Sequence, residues 1–104
     1  MIYSVKVFQL KDSNNLHFHR FANLEELKKY NLDLSINNYD LIYTTEKDFS
    51  VDMKKIDILE KLFLEFQGAK PKGYDGHSLS VSDIIKLNDE YWYCDSIGFE
   101  KLDF

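Results

Sequence analysis

The chain has 104 residues, of which 44% are hydrophobic, 30% charged and 15% aromatic. That length holds one domain, 1–104, and an aromatic-rich composition of this kind excludes a disordered chain. Thirteen basic against eighteen acidic residues leave a formal charge of −5, which argues against nonspecific binding to duplex DNA or anionic membrane. The lone Cys94 excludes an internal disulfide. With no signal pattern and no apolar run near the ~20 residues of a bilayer span, a soluble cytoplasmic protein is expected.

From Ile2 to Leu10, Tyr3, Val5 and Val7 alternate with Ser4 and Lys6, the period of a half-buried strand. Turn-forming residues from Lys11 to Asn15 lead into Leu16 to Phe21, which alternates again, so a hairpin partner strand is expected there. Asn23, with Glu26 three positions on, has the form of a capping box for a short helix from Leu24 to Tyr30. Leu41 to Thr45 carries the branched and aromatic residues that suit a strand.

Asp52 is the expected cap of a second helix, in which Ile56, Leu59, Leu62, Phe63 and Phe66 recur at helical spacing and Gly68 stands at the far end. Lys70 to Gly76 reads as an ordered loop. Ser78, Ser80 and Ser82 alternate with Leu79 and Val81, but that phase would bury Asp83. A strand from Ser78 to Leu87 is therefore expected to break at Ser82-Asp83, through a bulge or a turn in which the Asp83 carboxylate accepts backbone N–H groups. Tyr91 to Cys94 forms the next strand, and Gly98 bends the chain into a terminal edge strand over Phe99 to Leu102. The expected fold is α+β: a mostly antiparallel sheet of five or six strands in the order β-β-α-β-α-β-β, with or without a sixth strand at the end, and two helices on one face.

Three stretches together carry a family resemblance: LEKLFLEF from Leu59 to Phe66, GYDGHSLSVSDIIKL from Gly73 to Leu87, and YWYCDSIGFEKL from Tyr91 to Leu102. The chain resembles the YodL-like family of small domains from Gram-positive bacteria and their plasmids and conjugative elements. The motif residues are Gly76, His77, Ser78, Ser80, Asp83, Asp95, Ser96, Gly98 and Phe99. Ile84 and Ile85 replace the commoner valines, and Trp92-Tyr93 stands where two tyrosines are frequent. The family has no agreed enzymatic activity, so the resemblance implies a mobile-element setting and supplies no reaction.

His77, Ser78 and Asp83 are the residue types of a hydrolytic triad, yet neighbouring side chains on a strand point to opposite faces and no Gly-x-Ser-x-Gly elbow is present. A structural role tying the loop to nearby backbone is expected, with no catalytic residue. The three histidines His17, His19 and His77 with Cys94 could supply four zinc ligands, His17 and His19 lying on one face of the expected hairpin strand, but one cysteine without a Cys-x-x-Cys spacing does not make a closed site, so neither metal nor cofactor is expected. The Asp95 carboxylate beside Cys94 would oppose thiolate formation. Asp95, Ser96 and Gly98 read as a turn.

Alternation places Tyr91 and Tyr93 on one sheet face and Trp92 with Cys94 on the other, which favours core over a stacking platform. Acids interleave with lysines from Glu25 to Lys29, unlike the long acidic rows of a DNA mimic. The expected function is thus a non-enzymatic interaction protein of a mobile genetic element that modulates a host bacterial protein. Its sharpest form is an inhibitor of a defence nuclease, of anti-CRISPR or anti-restriction type, without direct contact to nucleic acid. A regulator of a cytoskeletal or cell-shape protein and a small enzyme or metal-dependent domain using His77 stand as alternatives. Candidate partner contacts are Asp12, Glu25, Glu26, Asp33 and Asp40, in or near the polar segment from Lys11 to Asn38, and Tyr74 in the later loop.

Overall fold

The computed structural model describes residues 1–68 and 70–104. They form β1 (Ile2–Leu10), α1 (Leu24–Lys29), β2 (Tyr39–Asp48), α2 (Lys55–Gln67), β3 (Ile84–Leu87), β4 (Glu90–Cys94) and β5 (Phe99–Leu102). Short 3-10 helices add Asn14–His19 and Ile36–Asn38. The five strands make one antiparallel sheet in the order β2-β1-β3-β4-β5. The α+β class and the terminal edge strand hold as expected. Among the described residues no helix is long and apolar enough to cross a membrane.

The placement of the helices is corrected. On one face Tyr3, Val5, Val7, Ile85 and Leu87 pack against Ile58, Leu59, Leu62 and Phe66 of α2. On the other, Ile84 and Tyr93 pack with Ala22, Tyr39 and Leu27 of α1, ringed by Phe8, Leu10 and Tyr91. The helices therefore cover opposite faces. The reason is visible in β3 and β4, where both faces carry large apolar residues, Ile84 and Tyr93 on one and Ile85, Leu87, Trp92 and Cys94 on the other: a sheet with two such faces needs cover on both. Register carries this through, with Val7 opposite Ile85 and Ile85 opposite Trp92 on one side, and Phe8 opposite Ile84 and Ile84 opposite Tyr93 on the other.

The hairpin strand expected over Leu16 to Phe21 is instead the 3-10 helix. Ser13 Oγ accepts the Asn15 N–H at 3.3 Å, and Leu16, His19 and Ala22 are the buried positions. That spacing of three matches the period of a 3-10 helix and not of a strand. The strand expected to begin at Ser78 starts only at Ile84, because Ser82 takes φ 86° and Asp83 N–H bonds back to Ser80 O, which ends any pleat. The capping box on α1 is present in both directions. Asp52 does not cap α2: a turn closed by Met53 N–H to Ser50 O intervenes, and Lys54 stands at the cap without a side-chain bond. Gly68 closes α2 at φ −86°, outside the left-handed region.

Between β1 and β2 the register shifts so that Ile42 is left over between Leu41 and Tyr43. A bulge of this kind frees a carbonyl, and Ile42 O accepts Asp75 N–H at 3.1 Å. The loop before the motif is thereby docked on the sheet edge, which sets the position of Gly76 and His77.

Candidate functional site

The motif residues gather around the end of β1, and Gln9 organises them. Its amide nitrogen donates to His77 O at 2.8 Å and to Asp83 Oδ2 at 3.1 Å, while its oxygen accepts His77 N–H at 3.2 Å. Both amide hydrogens are then used, so the His77 Nδ1 proton goes to Ser78 O, 2.7 Å away. Gly76 is fixed by space: a Cβ there would run into Gln9 Oε1 and Ile42 Cδ1. Gln9 carries no signal of its own in the sequence; its position at the polar end of an alternating strand, on the buried phase, was the available cue.

Asp83 is 1% exposed. Its Oδ2 accepts Ser80 N–H at 2.9 Å, its own N–H reaches Ser80 O at 3.2 Å, and its carbonyl accepts Cys94 N–H at 2.8 Å. The expected turn at Ser82-Asp83 is therefore present, with the carboxylate bonded to backbone. Burial pushes the Asp83 carboxyl up to about 7, against the opposing pull of the Ser80 hydrogen bond, the nearby His77 charge and the Gln9 amide. His77 and Asp83 differ in how they act: the aspartate works through its side chain, whereas His77 is held by its main chain and leaves its ring exposed.

Two residues in left-handed backbone meet here. Ser82 and Phe21, at φ 86° and 60°, are joined by a bond from Phe21 N–H to Ser82 Oγ at 3.2 Å. Tyr39 Oη donates to Ser82 O at 2.6 Å and Tyr93 Oη to Ala22 O at 2.6 Å. Burial raises both phenols above their ordinary range. The segment that carries Phe21 is thus bolted to the motif from beneath.

The turn after β4 is fastened to α1. Asp95 Oδ1 accepts Leu24 N–H at 3.2 Å and Ser96 N–H at 2.9 Å, and Asn23 Nδ2 lies 3.5 Å from Ser96 Oγ. Gly98, at φ 74°, lets Asp95 N–H reach its carbonyl at 3.1 Å. Phe99 follows and packs edge-on to Phe63 of α2.

Several expected site features are relocated. His17 is exposed and His19 buried, with His19 Nε2 donating to Asp33 O at 3.0 Å, so the two do not share a face. Cys94 is fully buried, and its thiol is pushed well above its usual range by burial and then by Asp83, not by the adjacent Asp95. Tyr91 with Tyr93 and Trp92 with Cys94 do take opposite faces, and both sets enter a core. Tyr74 is corrected from a candidate contact to a core residue, packed with Tyr43 and Phe66.

Of the other candidate contacts, Asp12, Glu25, Glu26, Asp33 and Asp40 are all exposed. Asp12 pairs with Arg20 at 3.1 Å, and Glu26 Oε1 accepts Asn23 N–H at 3.2 Å within the capping box. What sequence reasoning missed is apolar: Phe18 is 77% exposed and Phe21 64% exposed, with the Phe21 ring 6.4 Å from that of His77. Tyr30 stands on the same segment, and with Phe18, Ala22 and Leu32 it lines a cavity of about 500 Å³.

The fold and site define a small α+β domain with helices on both faces of a five-stranded sheet and a polar motif used as an internal latch. The chain belongs to the YodL-like domain family, whose model matches residues 4–104. The match thus extends over the first strand and the first helix as well as the motif stretches. No curated protein and no solved structure matches the chain.

Proposed function

We propose that the protein is a non-enzymatic binding module of a mobile genetic element, and that it recognises a host bacterial protein through the face made by Phe18, Phe21, Tyr30 and the His77 ring. The observation that carries this reading is Phe21. A bulky side chain in left-handed backbone costs about 1–2 kcal/mol, and here that conformation displays an aromatic ring to solvent. Strain held in place by surrounding bonds while serving no internal packing is a mark of a functional position. Exposed aromatics are the anchors from which protein interfaces draw most of their energy.

The exposed acids Asp12, Glu25, Glu26, Asp33 and Asp40, on a chain of charge −5, suit a target with a basic surface and would speed the encounter at low salt. A host nucleic-acid enzyme has such a surface, which makes inhibition of a defence nuclease the sharpest form of the proposal. The test is capture from a Gram-positive lysate with the chain as bait, analysed by mass spectrometry. A specific protein retained by the wild type and lost with the Phe18→Ser, Phe21→Gly double variant supports the reading. Equal retention by both baits contradicts it.

A further inference from the structure

The sheet ends on one side in β2, and among the described residues no strand pairs with its outer edge. Which backbone groups face out along that edge follows from β1. Ser4 O accepts Asn88 N–H at 2.9 Å and Ser4 N–H donates to Asn88 Oδ1 at 2.9 Å, so the backbone of Ser4 points toward β3. Alternation then turns Tyr3, Val5 and Val7 toward β2, where their partners Lys47, Thr45 and Tyr43 point back at them. Thr44, Glu46 and Asp48 are left with their amides and carbonyls facing outward, and their side chains are exposed. Further along, the edge is closed, because Ile42 O takes Asp75 N–H. A second observation lies one strand in. Lys6 stands directly opposite Lys86, and among the described residues neither these lysines nor Glu46 has an ion-pair partner. Like charges opposed across two strands destabilise the pairing, and a nearby anion relieves it.

We propose that the β2 edges of two copies of this chain pair antiparallel about a two-fold axis at Thr45, joining their sheets into one. Only registers that set outward-facing residues against outward-facing residues can bond, and the side chains choose among them. An axis on Glu46 would oppose Glu46 to its own copy, and one on Lys47 would oppose the two lysines. An axis on Thr44 would push Glu46 and the residues after it into the loop docked on Ile42. Centred on Thr45, only Asp48, the last residue of β2, arrives there. In that register Thr44 and Glu46 of one copy exchange both backbone bonds with Glu46 and Thr44 of the other, Thr45 meets Thr45, and Tyr43 meets Lys47. The charges then fit. Glu46 of the second copy falls in the cross-sheet row that runs through Thr44, Lys6 and Lys86. With strands about 4.8 Å apart, it stands roughly 10 Å from Lys6 between Cα atoms, across a short threonine and within reach of two extended side chains. An extended segment of another protein could bond the same edge, but this chain supplies the matching carboxylate itself, twice by symmetry. The pairing uses none of Phe18, Phe21, Tyr30 or His77, so it stands apart from the binding reading above.

The test is disulfide trapping of the full chain under mild oxidation, with Cys94 left in place because it is fully buried. Thr45→Cys sets two thiols at a directly opposed pair, about 4.5 Å apart between Cα atoms and inside disulfide range. Lys47→Cys sets them more than about 13 Å apart. Thr45→Cys should form the covalent dimer at least about tenfold faster than Lys47→Cys. Adding Glu46→Lys to Thr45→Cys should slow trapping about tenfold, and adding Lys6→Glu as well should restore it. In the wild type, the NMR amide signals of Thr44 and Glu46 should move as protein concentration is raised. Equal trapping at the two positions, trapping indifferent to Glu46→Lys, or signals that stay fixed up to ~1 mM overturn the dimer. So do shifts at Thr44 and Glu46 that arise only when a captured host protein is added, which would give the edge to another chain.

Discussion

From Gly76 to Phe99 the key polar side chains turn inward: Asp83 and Asp95 bond to backbone, and His77 is gripped by its main chain. From Phe18 to Tyr30 the reverse holds, and aromatic rings that could fill a core stand in solvent. The two regions touch through Phe21 N–H to Ser82 Oγ and Leu24 N–H to Asp95 Oδ1. The difference teaches that the most recognisable part of the sequence is scaffold, and that it spends its hydrogen bonds holding a less recognisable segment in a displayed conformation.

The sharpest break in that comparison is Gln9→Ala. It strips partners from His77 N–H, His77 O and the Asp83 carboxylate together, and each buried polar group left unpaired costs about 1–3 kcal/mol. A loss of about 3 kcal/mol is expected in urea unfolding.

Of comparable total size is the pH dependence of Asp83. Below the pKa of an unfolded aspartate, ~3.9, both states hold the proton. Between there and about 7 the folded state keeps a proton that the unfolded state has released. Stability from this group therefore falls as pH rises through that window, by roughly 1 kcal/mol per pH unit, and levels off above it. Asp83→Asn should lack this slope, so the difference between wild-type and variant stability curves isolates it from the other carboxylates.

A smaller effect of opposite sign is expected for Phe21→Gly. Relief of the left-handed strain should stabilise the fold by about 1 kcal/mol, since the ring is mostly exposed and little burial is lost. The smallest is His77→Ala, within about 0.5 kcal/mol in the same assay, because the ring contributes one exposed bond to Ser78 O while the main chain keeps its partners. A loss for His77→Ala equal to that of Gln9→Ala would place the ring in the latch.

Much of this was legible in the residues. The alternation of Tyr3, Val5 and Val7, the Asn23 and Glu26 capping box, the spacing in α2 and the turn at Asp83 are local signals that the tertiary context leaves in place. What failed was decided at a distance. Leu16 to Phe21 has a strand-like alternation, but burial of Leu16, His19 and Ala22 against the rest of the fold selects a period of three. Helix placement depends on Ile84 and Tyr93, neighbours only once β3 pairs with β4, which together make the second apolar face. Phe21 was invisible as a site residue, since its left-handed backbone depends on Ser82, 61 positions away.

The central claim is a division of labour between an internal latch and an exposed aromatic face. It is tested most directly by titrating the captured, purified host protein against the wild type, Asp83→Asn, and the Phe18→Ser, Phe21→Gly double variant, each with its melting curve. The account predicts that Asp83→Asn binds like the wild type, while the double variant stays folded and weakens binding by about tenfold or more. Unchanged affinity in the double variant, with loss in a folded Asp83→Asn, would contradict it.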